Sequence, residues 1–161
     1  MRNYQTTTRH HHYGYTLIEV IVVLAILAIL WGIAAPRYAA AMSRYRAEAA
    51  ARRIAADLAM ARQQAIQTSS SVTVTFSQLT NSYTIPGITS LDRTSNNYTV
   101  NLSNDPYQVT LTNVPFLLGT VTFNAYGSAD QSGTITVQSA AGFQWTITLE
   151  ASMGKVSVSG T

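Results

Sequence analysis

The chain of 161 residues contains no cysteine, and its three histidines all fall at His10, His11 and His12. The first absence excludes disulfides, a thiol nucleophile and thiolate metal sites; the second leaves everything after residue 12 without an imidazole base. Charged residues make up only 11% of the sequence, and from Gln67 onward the carboxylates are Asp92, Asp105, Asp130 and Glu150, too scattered to pair for acid–base work. No glycine-rich phosphate loop is present. The histidine run lacks a fixed scaffold and supporting partners for a metal, and the isolated aspartates lack the spacing of a calcium loop. These absences argue against an enzyme and imply neither cofactor nor metal.

What the chain has instead is one long apolar run. Between Gly14 and Pro36 lie twenty-one positions, of which only Glu19 is charged. At 1.5 Å per residue such a helix is about 30 Å long, enough to cross a bilayer core. A secretory signal peptide places small residues after a shorter apolar region, whereas Gly14 precedes this one, so the segment is expected to be kept. Arg2 and Arg9 suit the cytoplasmic end of a membrane helix. Trp31 sits either at the far interface as an aromatic belt residue or in ordinary contact with lipid or a neighbour. Pro36 lacks an amide hydrogen and predicts a kink, with Gly32 one turn earlier easing local melting.

A carboxylate in hydrocarbon costs on the order of 3 kcal/mol, so Glu19 calls for a partner or an interfacial position to which it can snorkel. The run Gly14-Tyr15-Thr16-Leu17-Ile18-Glu19, followed by apolar residues to Pro36, resembles the class III signal of type IV prepilins and type II secretion pseudopilins. That resemblance implies cleavage after Gly14 by a prepilin peptidase, N-methylation of Tyr15, and pairing of Glu19 with the amine of a neighbouring subunit during assembly. It also implies that the proline bends the helix and marks where it melts in the filament. Major type IVa pilins commonly carry a C-terminal disulfide, so the lack of cysteine points towards a pseudopilin or a minor pilin.

The formal charge of +3 is unevenly placed. Residues 37–66 carry six arginines against Glu48 and Asp57, a net of +4, while residues 67–161 carry Arg93 and Lys155 against four carboxylates, a net of −2. The segment 37–67 is rich in alanine without glycine or proline and reads as helix. Tyr38, Met42, Tyr45 and Ala49, then Ile54, Leu58, Ala61 and Ala65, predict its apolar stripe. Glu48–Arg52 and Arg53–Asp57 stand four apart, as ion pairs do. The arginines form a solvated face, a headgroup contact or a subunit contact.

After Thr68-Ser69-Ser70-Ser71 the periodicity changes from 3.6 to 2. Strands are predicted at 72–76, 83–85, 98–102, 107–111, 121–123, 135–137, 143–149 and 156–158, each alternating apolar with small polar residues, and an exposed loop at 86–97. The segments Thr122 to Ala129, Gly133 to Val137, and Ile147 to Val156 resemble the closing hairpins of GspH/FimT-type minor pseudopilins, with Lys155 standing where that group often has arginine.

The expected organisation is α+β: a leader over 1–14, a transmembrane and filament-core helix over 15–35, its amphipathic continuation over 36–67, and a β-rich head over 68–161, a small antiparallel sandwich or twisted sheet. The expected function is that of a structural, minor subunit of a type IV pilus or type II secretion pseudopilus. It would sit as a single pass in the bacterial inner membrane with its head in the periplasm or outside. Prepilin peptidase, other pilins, and the assembly platform with its ATPase are the implied partners. The alternative is a DNA-binding minor pilin of a competence system, using Arg93 and Lys155; the acidic head disfavours it, because such binding scales with the phosphates neutralised.

Overall fold

The computed structural model describes residues 14–87 and 97–160; Arg93, most of the 86–97 loop and His10 to His12 lie outside them. One helix, α1 (Leu17–Thr68), precedes eight strands: β1 (Val72–Ser77), β2 (Ser82–Pro86), β3 (Asn97–Asn101), β4 (Val109–Asn113), β5 (Thr120–Phe123), β6 (Gly133–Ser139), β7 (Gln144–Glu150) and β8 (Lys155–Gly160). The chain divides after Tyr38 into an N-terminal unit and a head-bearing unit.

In the N-terminal unit α1 begins where Thr16 caps it: the Glu19 amide lies 3.3 Å from Thr16 Oγ1, satisfying a donor that the first turn leaves free. The helix is assigned without a break through Pro36. Its apolar residues from Leu17 to Ile33 are exposed, and a window of mean hydropathy 2.8 makes the helix long and apolar enough to cross a membrane.

In the second unit α1 packs on two antiparallel sheets, ordered β3-β2-β1-β5 and β4-β6-β7-β8. The alternation read from the sequence explains why these segments are strands. On β1, Val72, Val74 and Phe76 point into the core, while Thr73 points out and meets Thr122 of β5 at 3.0 Å. Thr84–Thr99, Thr134–Thr148 and Thr146–Ser159 repeat the arrangement, each a hydroxyl pair at matched register positions of neighbouring strands. Ile135 and Val137 on β6 and Ile147 and Leu149 on β7 complete the core from the second sheet.

Two expectations need correction. The helix buries Ala47, Ala50, Ala51, Ile54, Leu58, Ala61 and Ala65, so the later half of the expected stripe holds, but Tyr38 and Tyr45 are 69% and 68% exposed. At 3.6 residues per turn Tyr45 points about 200° away from Ala47, and a stripe of alanines lets the helix approach the sheets where tyrosines would hold it off. Second, β4 starts at Val109 rather than Tyr107, because Gln108 adopts a left-handed conformation (φ 51°) at the end of a turn after Asn104. β3 and β8 alternate as expected, with Tyr98, Val100, Val156 and Val158 half-buried on the inner face of two edge strands.

Candidate processing and assembly site

The signal residues stand open at the start of α1. Gly14 and Tyr15 precede the helix, Tyr15 is 83% exposed, and among the described residues no atom beyond its chain neighbours lies within 4 Å of the place a Cβ on Gly14 would occupy. Tyr15, Glu19, Val20, Val23 and Leu24 line a shallow groove of about 350 Å³ along the helix flank. Glu19 is exposed and meets no cation among the described residues. Thr16 was missed in the sequence as an individual contributor, although Thr16-x-x-Glu19 has the spacing of a capping box. Gly32 likewise has open space around it.

The head holds a second constellation, built on Asp57. Its carboxylate is 5% exposed and faces inward from α1. Oδ2 accepts from Arg53 Nε at 3.2 Å, from the Tyr98 hydroxyl of β3 at 3.0 Å, and from the Tyr83 hydroxyl of β2. Arg53 also donates to the Tyr98 oxygen, which closes the ring of contacts. Burial, reinforced by the Asp57 charge, pushes the Tyr83 hydroxyl well above its ordinary titration range, and burial raises Tyr98 too. The i,i+4 pair read from the sequence is thus part of a half-buried network joining helix to sheet. Glu48–Arg52 is the ordinary surface pair expected, at 2.8 Å.

A third feature gathers the glycines of the C-terminal hairpins. Arg62 Nε donates to the Gly127 carbonyl at 3.1 Å. Gly127 (φ 81°) and Gly154 (φ 57°) both lie against this arginine, and a Cβ on Gly154 would come within 2.2 Å of the Gly127 oxygen. Two turns thereby close on one helix side chain; positive φ favours glycine at both, and the backbone contact requires it at Gly154. Lys155 starts β8 opposite Glu150 and is the only cation from Thr68 onward among the described residues. Asp130 caps the Thr122 amide at 2.9 Å and Asp105 accepts from the Gln108 side chain at 2.7 Å, so both aspartates are engaged within the fold.

The arrangement of one long N-terminal helix on a two-sheet antiparallel head is that of the pilin class. It is similar to the minor pseudopilin EpsH from the Type 2 Secretion System of Vibrio cholerae, with a TM-score of 0.55 at 15% identity, covering 71% of this chain and 97% of that one. It is also similar to the type IV minor pilin FimU of Pseudomonas aeruginosa, with a TM-score of 0.53 at 15% identity, covering 72% and 90%. No curated protein matches the chain. The prokaryotic N-terminal methylation motif matches residues 9–35, and the family described as type II transport protein GspH matches residues 50–153, so the chain belongs to the GspH family. As a member of that family it is a structural protein and not an enzyme.

Proposed function

We propose that the chain is made as a precursor, cut between Gly14 and Tyr15 by prepilin peptidase, methylated on the Tyr15 nitrogen, and drawn from the inner membrane into a filament. The observation that carries this reading is the part of α1 before Pro36: an exposed apolar helix whose one charge, Glu19, lies four residues from the nitrogen that cleavage would create. Lipid covers the apolar surface before assembly and neighbouring helices cover it afterwards. In the filament the carboxylate of one subunit meets the methylated amine of the next, which offsets a desolvation cost that neither charge could bear alone in hydrocarbon. Methylation keeps the positive charge. Gly32 and Pro36 mark where the helix yields during packing.

The head then lies in the periplasm or outside the cell, and the assembly platform and its ATPase drive the insertion of subunits. Electrostatics favours this reading over DNA binding, because Lys155 has no companion cation on the described strands. The test is Glu19→Ala. The variant is expected to be cleaved normally yet to fall at least about tenfold in the sheared filament fraction, the scale of losing a buried charge contact. Undiminished incorporation would remove the pairing.

A further inference from the structure

Of the six arginines that α1 carries after Pro36, the four farther along are engaged by the protein itself. Arg46 donates to the Gln108 side chain, Arg52 pairs with Glu48, Arg53 with Asp57 and Tyr98, and Arg62 with the Gly127 carbonyl. Arg37 and Arg44, the two nearest the apolar run, are exposed and meet no acceptor among the described residues. Glu48 stands one turn beyond Arg44, but its carboxylate is held by Arg52 at 2.8 Å.

Arg44 does not stand on plain helix surface. With Ala40, Ala41, Tyr45, Glu48 and Phe143 of the β6–β7 turn it lines an open groove of about 470 Å³, at the end of the head where α1 enters it. The groove thus offers one free guanidinium, the exposed phenol of Tyr45, and an apolar wall of two alanines and a phenyl ring. A guanidinium beside a phenol suits an oxyanion with several acceptor oxygens, and the apolar wall suits a carbon chain attached to it. The phosphodiester of a phospholipid has both.

From this sorting of the arginines and from the groove we infer that Arg44, with Tyr45, holds the phosphate of a phospholipid headgroup in the membrane that the earlier part of α1 occupies, while Arg37 and Tyr38 lie at headgroup level. This rests on the reading of Leu17 to Ala35 as a membrane span. Depth selects the occupant. The apolar run up to Pro36 matches the hydrocarbon core, about 30 Å, and the headgroup layer adds about 5 to 7 Å on each side. Arg44 follows Pro36 by eight residues, about 12 Å of helix, and helical side chains lean towards the helix N-terminus, so its long stem carries the charge back to that layer. At that height every lipid presents a phosphate, whereas a protein partner would have to bring a carboxylate to the same place. The contact fits a single upright pass and asks nothing of a second copy. It belongs to the subunit in the bilayer, before any filament forms.

The full chain, reconstituted at low density in vesicles of phosphatidylethanolamine and phosphatidylglycerol, provides the test, because without native cysteines a label on an engineered one reports alone. A fluorophore on Ala141→Cys, exposed two residues before Phe143, is expected to be quenched by lipids carrying a nitroxide on the headgroup. One on Ser71→Cys, exposed beyond the far end of α1 and so about 36 Å of helix from Arg44, is expected to be spared. In the Ala141→Cys background, Arg44→Gln is expected to lower the quenching at least about twofold and Arg44→Lys to keep most of it, since the charge is what the headgroup layer attracts. An unchanged circular dichroism spectrum verifies the fold of each variant. A label on Ile33→Cys, quenched by a nitroxide on the acyl chain, reports the span separately. With that label quenched, an Ala141→Cys signal no greater than that of Ser71→Cys, or one indifferent to Arg44→Gln, overturns the headgroup contact and leaves the span standing. Arg44-dependent quenching that appears only at high protein density overturns it too, in favour of a neighbouring chain. An Ile33→Cys label that stays unquenched removes the span and the contact with it.

Discussion

Asp57 is the one carboxylate that the described fold takes out of water, and three donors on three elements meet it. Removing the carboxylate would leave the buried Tyr83 hydroxyl without its partner, so Asp57→Ala is expected to cost the head about 3 kcal/mol in denaturant unfolding. The same site gives a pH dependence. The folded state holds Tyr83 protonated above the ordinary tyrosine value of about 10, whereas the unfolded chain releases that proton there. Its contribution is therefore complete below about pH 10 and is lost as the pH rises further, at about 1.4 kcal/mol per pH unit for one proton. Tyr83→Phe should flatten that alkaline limb by about one proton, read from stability measured between pH 9 and 11; an unchanged slope would mean that Tyr83 titrates normally. The sequence exposed the Arg53–Asp57 spacing but not the burial, because the tyrosine partners stand 26 and 41 residues away.

At the scale of elements, the alternation of apolar and small polar residues located all eight strands, since a half-buried strand writes its own period into the chain. The long helix was equally plain as a run without breakers. What misled was the aromatic stripe at Tyr38 and Tyr45: spacing alone does not say which face meets a sheet, and the face that does is marked by alanines, which carry little apolar signal. The hairpin glycines were visible as turns, but not their convergence on Arg62, which requires two turns 27 residues apart and the helix to be placed together. Both glycines have positive φ, yet their surroundings differ. A Cβ at Gly154 meets backbone, while one at Gly127 meets the flexible ends of Ile66 and Arg62. Gly154→Ala is therefore expected to destabilise the head by about 3 kcal/mol and Gly127→Ala by about 1 kcal/mol, compared by thermal unfolding. Equal effects would contradict the backbone contact.

At the scale of the molecule, the strand order was beyond the sequence. β1 pairs with β5 and β4 with β6, long-range choices set by which edges the helix and the intervening turns leave free rather than by any local pattern. The opposite holds for the N-terminus, where the glycine, the single carboxylate and the unbroken apolar run lie within 23 consecutive residues, and where geometry adds mainly that the segment is exposed. The proposed function depends on cleavage after Gly14 and retention of the apolar segment that follows. The most direct measurement is the mass of the N-terminal peptide from the protein isolated from its own membranes. A peptide beginning at N-methylated Tyr15, absent from a Gly14→Ala variant that stays at precursor size, is the predicted result. A mature Gly14→Ala chain, or a wild-type chain that keeps residues 1–14 or starts at any other position, would contradict it.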